Sequence, residues 1–178
     1  MRDLAELGFK STGIETEESI SHLESLLGVP LPSQFRRHLL LHGGGYLDDC
    51  IYECQMPTPF GHGNIVQIAG TRDMETTIYS ETIPWNLLCI GEGHLGQSTC
   101  ISIAGLDHGK CYAFDCNMRF YWSERDIKAL PHLDPSIIEF FRLRDEDELP
   151  ERPWGYENCY LATDSFDELL GKLQRLPE

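Results

Sequence analysis

The chain has 178 residues, 29 acidic and 14 basic, for a formal charge of −15 with histidine neutral. Its 41% hydrophobic and 10% aromatic content excludes a disordered acidic tail. A chain of this size buries roughly 70% of the surface it exposes when unfolded, so one domain is expected over residues 1–178, with an acidic insertion at about 120–160. The acidic excess argues against direct nucleic-acid binding, which draws its affinity from Lys and Arg on phosphates. It suits a basic protein partner and also serves plain solubility.

The opening MRDLAELGFKSTGIETEES lacks the apolar core of a signal peptide. No stretch approaches the roughly 18 apolar residues of a membrane span. A cytoplasmic protein without membrane association is expected, and its seven cysteines, odd in number and irregular in spacing, read as reduced thiols. Neither a cofactor nor a resident metal is expected.

In chain order, Thr16 followed by Glu17 and Glu18, with Ile20, Leu23 and Leu27 at helical spacing and Gly28 beyond, predicts a capped helix from Glu17 to Leu27. Pro30 and Pro32 enforce an extended link. Phe35, Leu39 and Leu40 then share one side of a second helix from Ser33 to Leu41, which Gly43, Gly44 and Gly45 are expected to end. From Tyr46 to Ile90 the pattern turns to short β-prone runs, Cys50 to Tyr52, Asn64 to Ile68 and Leu87 to Ile90. The runs Cys100 to Ala104 and Cys111 to Phe114 predict an antiparallel hairpin. Ile137, Ile138 and Phe141 predict a helix from Ser136 to Leu143, and Asp145 to Pro153 reads as an acidic loop. Ser165 and Glu168 form an S-x-x-E cap ahead of Phe166, Leu169, Leu170 and Leu173, the clearest helix of the chain.

Several near-motifs touch on chemistry. Gly91, Gly93 and Gly96 in GEGHLG have the spacing of a dinucleotide-binding turn but open a β-branched run, Ser98 to Ile103, instead of a helix, so a strand connection is favoured. His42-Gly43-Gly44-Gly45 resembles an esterase oxyanion loop, and Ser98 in GQSTC sits near a nucleophile elbow, with His132 or His108 as a base. Both halves lack the strand-to-helix context that such chemistry needs. His42, Cys50, Cys54 and His62 would make a zinc site only across seven-residue spacers, and packed thiols are the simpler reading, as they are for Cys111 and Cys116. Asp48 and Asp49 would face opposite ways on a strand and form no catalytic pair. Trp85, Trp122 and Trp154 neighbour polar residues, with core packing expected for at least two.

The order of these elements resembles the SUKH superfamily, which includes fungal cell-wall assembly regulators and bacterial immunity proteins. ISHLESLLGVPLPSQFRRHLLLHGGG is similar to its helix, LG-x-x-LP, helix, Gly-Gly entry. IPWNLLCIGEGHLGQSTCISIAGLDHGKCYAFD is similar to its central turn, two strands and acidic residue, and LATDSFDELLGKL to its closing helix, with Thr163 as an extra residue. The segment from about Phe120 to Tyr160 departs from that pattern in length and acidity. The resemblance implies an α+β fold with a mixed, mainly antiparallel sheet and helices packed on it. It implies a non-enzymatic activity, either stoichiometric occlusion of a basic toxin domain such as a nuclease or a regulatory scaffold. On that reading Asp48, Asp49, Glu92, Asp145, Glu146, Asp147 and Glu148 would steer the partner, with Tyr52 and Trp154 as anchors.

Overall fold

The computed structural model describes residues 3–78, 80–130 and 133–176, and its frame is an antiparallel sheet. The strands are β1 (Lys10–Gly13), β2 (Gly44–Tyr52), β3 (Gly63–Ile68), β4 (Leu87–Glu92), β5 (Gln97–Ser102), β6 (Cys111–Asp115), β7 (Cys159–Thr163) and the two-residue β8 (Gln174–Arg175). They lie side by side in chain order from β1 to β7, with β8 on β2. Each described pairing is antiparallel, in keeping with the expected α+β fold on a mainly antiparallel sheet. The physical reason is the connectivity: a chain that returns to the adjacent position after each strand runs back along it.

Helices α1 (Glu17–Leu27) and α2 (Ser33–Leu41) occupy the spans expected of them. Thr16 accepts from Ser19 N–H, and Gly28, at φ +71°, returns its own N–H to Glu24. Only Gly43 ends α2; Gly44 and Gly45, expected to share that role, open β2. A Cβ on Gly44 would lie 2.4 Å from the Gly70 nitrogen, so the glycine is required by close approach of backbones. Helix α5 (Pro135–Asp145) extends the expected helix by one residue before and two after, with Asp134 capping it. In α6 (Phe166–Lys172), Ser165 accepts from Glu168 N–H, while the Glu168 carboxylate reaches back to Asp164 N–H.

Strands alternate their side chains between two faces. On one, Ile20 and Leu23 of α1, Phe35 and Leu39 of α2 and Phe166, Leu169 and Leu170 of α6 close over Cys50, Ile65, Ile101, Ala113 and Ala162. The Phe35 and Phe166 rings meet edge to face at 5.0 Å. On the other face a smaller cluster of Leu87, Cys89, Cys100, Tyr112, Phe114 and Cys159 is covered by Tyr156 and Ile83, which come from loops.

The remaining elements depend on distant partners. Helix α3 (Thr71–Thr77) has a polar, Thr-rich sequence, and its first turn is held by Glu15, which accepts from both Thr71 N–H and Thr71 Oγ1. Residues 116–158 form an excursion between β6 and β7 that carries α4 (Glu124–Lys128) and α5. It is tied into the core by Phe140, whose ring lies 5.7 Å from that of Tyr160. Asp115, fully buried at the start of the excursion, accepts from the Asn117 and Arg119 N–H groups and from the Arg119 guanidinium at 2.7 Å. Arg119 also donates to Leu95 O, so the acidic residue that closes the central sequence signature fastens the β4–β5 turn to the excursion.

Candidate functional site

The most prominent surface feature is a turn just ahead of β7. Tyr156 N–H donates to Pro153 O at 3.1 Å and Gly155 has φ +84°, the arrangement of a type II turn with glycine in its third position. Trp154 occupies the second position with 97% of its surface exposed. The turn is held from both sides. Arg152 donates to Glu157 O at 2.7 Å and to Tyr156 O at 3.4 Å, and its guanidinium lies over the rings of Phe120 and Tyr160. The Tyr156 hydroxyl donates to Asp107 Oδ2 at 3.1 Å, the Tyr112 hydroxyl donates to the same carboxylate oxygen at 3.0 Å, and Asn86 donates to the Tyr156 oxygen. Burial and the neighbouring Asp107 carboxylate push both phenols above their ordinary pKa, so they stay protonated as donors.

Two open clefts flank this turn. One, of about 510 Å³, is formed by Thr77, Glu81, Ile83, Trp85 and Gly155 among others. The second, of about 400 Å³, is formed by Phe120, Asp147, Pro150, Glu151, Trp154 and Glu157 among others. Trp85 stands at the first with 86% of its surface exposed. The expectation that at least two tryptophans pack into the core is therefore corrected. Trp85 and Trp154 face solvent, and Trp122 is half-buried with the Arg119 guanidinium 5.6 Å from its ring. Among the described residues Glu81, Asp147, Glu151 and Glu157 form no ion pair, and the second cleft is lined by Arg144 and Arg152 as well as by its three carboxylates.

The acidic run itself is divided. Arg142 bonds Glu139, Glu146 and Glu148, and Arg144 pairs with Asp145 at 2.7 Å, so only Asp147 of the four keeps a free charge and lines a cleft. Asp48 and Asp49 do face apart: Asp48 pairs with Arg175 at 2.9 Å, and Asp49 meets His94 Nε2 at 2.7 Å on the opposite side of β2. Glu92 is exposed beside Gln67, its register partner on β3, and so shares the outer sheet surface with Asp49 and His94. Tyr52, expected as an anchor, is buried and its hydroxyl is 2.8 Å from Thr99 Oγ1. The reason is register: Tyr52 opposes Gly63, where a Cβ would lie 2.3 Å from the ring. It is removed from the contact surface.

The near-motifs receive structural explanations. GEGHLG makes the β4–β5 turn, with Gly93 N–H on Gln97 O and Leu95 and Gly96 at positive φ. Ser98 lies within β5, its hydroxyl 3.9 Å from Cys116 Sγ, in place of an elbow between strand and helix. His132 lies outside the described residues. Among the described residues no group of three or more His, Cys, Asp or Glu side chains gathers to hold a metal, and burial pushes the Cys54 thiol up to about 12, away from the thiolate a metal needs. Cys111 is buried under the helices, whereas Cys116 is exposed. Among the described residues no helix is long and apolar enough to cross a membrane.

Sequence reasoning missed Glu81, Glu151 and Glu157 as cleft carboxylates and Asp107 as the latch on Tyr156. Gly155 carried a readable signal, since a type II turn favours glycine in its third position. Asp107 carried none, because its partners are 5 and 49 residues away.

An antiparallel sheet with helices on one face and loops on the other defines an α+β protein. The model of the SMI1 / KNR4 family (SUKH-1) matches residues 15–172, and the chain belongs to that family. The match spans the excursion and strands β2 to β7. No curated protein matches the chain significantly.

Proposed function

We propose that this chain is an immunity protein that binds a basic toxin domain, a nuclease surface being the natural complement, and neutralises it in the cytoplasm by stoichiometric occlusion without catalysis. The observation that carries this reading is Trp154, held on a hydrogen-bonded turn yet 97% exposed, between clefts with unpaired carboxylates. Folded monomers rarely leave large aromatic surface in water, and interface hot spots are enriched in tryptophan. Because the turn is fixed before contact, little conformational entropy is lost when a partner covers it. Glu81, Asp147, Glu151 and Glu157 attract the Lys and Arg that a nuclease presents to phosphate, which speeds encounter and weakens with salt. Asp49 and Glu92 add to the same field from the outer sheet surface.

Affinity capture with polymorphic-toxin domains encoded beside the gene tests this reading, with toxin activity assayed with and without the protein at low and high salt. One-to-one inhibition with a salt-weakened association rate is expected. Capture of several housekeeping proteins, none toxic on expression, would replace it with the regulatory-scaffold reading.

A further inference from the structure

The face of the sheet beneath the tryptophan loops holds an unusual concentration of sulfur, with Cys89 on β4, Cys100 on β5 and Cys159 on β7 in one buried cluster. Cys89 and Cys100 are direct partners in the β4–β5 register. Ile103 N–H donates to Asn86 O at 2.8 Å, which flanks the Leu87/Ser102 pair and makes it a non-hydrogen-bonded one. Antiparallel pairs alternate, so Leu88/Ile101 is hydrogen-bonded and Cys89/Cys100 is again non-hydrogen-bonded. Such pairs bring Cα atoms to about 4.5 Å, with side chains on the same face, inside the roughly 4.4–6.8 Å window of a disulfide.

We propose that Cys89 and Cys100 form a cross-strand dithiol that hydrogen peroxide oxidises to an intramolecular disulfide. Cys89 is the attacking sulfur. It is the more accessible of the two, at 6% against 0%, and it borders the cluster that only loops cover. The Cys100 thiol bonds to Cys89 and lowers the Cys89 pKa, while that same bond and burial push Cys100 up. The Cys89 thiolate attacks one peroxide oxygen, the O–O bond breaks, and a sulfenic acid and hydroxide form. Cys100 then attacks the sulfenic sulfur, the S–O bond breaks, and the displaced hydroxide leaves as water with the thiol proton. Two electrons pass from the two sulfurs to one peroxide molecule, which leaves as two waters in all. Cys116, exposed, 3.9 Å from Ser98 Oγ and near enough to Cys89 and Cys100 to interact electrostatically with both, is the competing thiol. The proposal stands apart from the identity of any partner.

The test exposes the folded protein to hydrogen peroxide, removes the oxidant with catalase, then unfolds and alkylates the chain before measuring its intact mass. Cleavage after Glu92 separates the two cysteines into different peptides, so their linkage is read directly. The expected result is loss of two alkylatable thiols with a mass lower by two hydrogen atoms before alkylation. Cys89 and Cys100 peptides should be joined, and dithiothreitol should reverse the linkage. The same result is expected in Cys116→Ser and none in Cys89→Ser. Full alkylation of both cysteines after peroxide treatment, linkage of Cys100 to Cys159, or oxidation confined to Cys116 would each overturn the assignment. The wild-type peptide map decides the matter even where a variant fails to fold.

Discussion

The two faces of the sheet are built for different work. Under α1, α2 and α6 the side chains are large aliphatics and phenylalanines, packed with almost no exposed surface. On the opposite face of β4 to β7 the cluster is small, three of its seven members are cysteines, and its cover comes from two loops that raise Trp85 and Trp154 into solvent. The helix-covered face therefore carries most of the apolar burial that stabilises the fold. The loop-covered face gives up burial in exchange for a surface on which large aromatics and unpaired carboxylates are displayed. On the proposed function, stability and recognition fall to separable residues, and substitutions can pull them apart.

The largest effect is expected on the helix-covered face. Phe166→Ala removes a fully buried ring packed on Phe35, and denaturant unfolding should show a loss of about 4 kcal/mol. A loss under about 1 kcal/mol would mean that this face does not dominate stability. Next is a pH effect at the same place. His38 is buried among Phe9, Phe35 and Phe166, with His42 and Asp167 as its titratable neighbours. Burial lowers its pKa from 6.5 to about 4. A group depressed in the folded state binds fewer protons there than when unfolded, so its contribution is complete above pH 6.5 and is lost as pH falls toward 4. That loss is at most about 3 kcal/mol, and His38→Met should flatten the stability profile across that interval.

Smaller effects belong to the loop-covered face. Tyr156→Phe removes one donor to Asp107 and should cost about 1 kcal/mol of stability. Because Asp107 keeps Tyr112, the fold persists while the Trp154 turn loosens, and faster dissociation of a bound partner is expected. Asp147→Asn should leave stability within about 0.5 kcal/mol of wild type, since asparagine accepts the φ of +57° found there, and slow association at low salt. Reversal of Glu146 or Glu148 would also break the Arg142 network, so Asp147 is the cleaner probe.

Helices α1, α2 and α6 were legible because their determinants are local: Thr16, Gly28 and Ser165 act within one turn of the residues they cap. Helix α3 was not, since Glu15 holds its first turn from 56 residues away. Strand β7 was hidden for the same reason, being defined by pairing with β6. At the candidate site, residue type was readable and orientation was not. Trp154 sits at the surface as expected, whereas Tyr52, equally aromatic and equally close to acids in sequence, turns inward because Gly63 leaves room for its ring. The acidic run shows a similar limit. Its net charge was visible, but Arg142, one turn before Glu146, and Arg144, directly before Asp145, compensate three of its four members.

The account turns on Trp154 serving recognition and not folding. Trp154→Ala, studied in parallel by denaturant unfolding and by binding to basic toxin domains encoded beside the gene, tests that claim most directly. Stability within about 0.5 kcal/mol of wild type, with affinity reduced by about 2 kcal/mol or more, is the predicted result. Unchanged affinity, or a stability loss as large as that of Phe166→Ala, would contradict it.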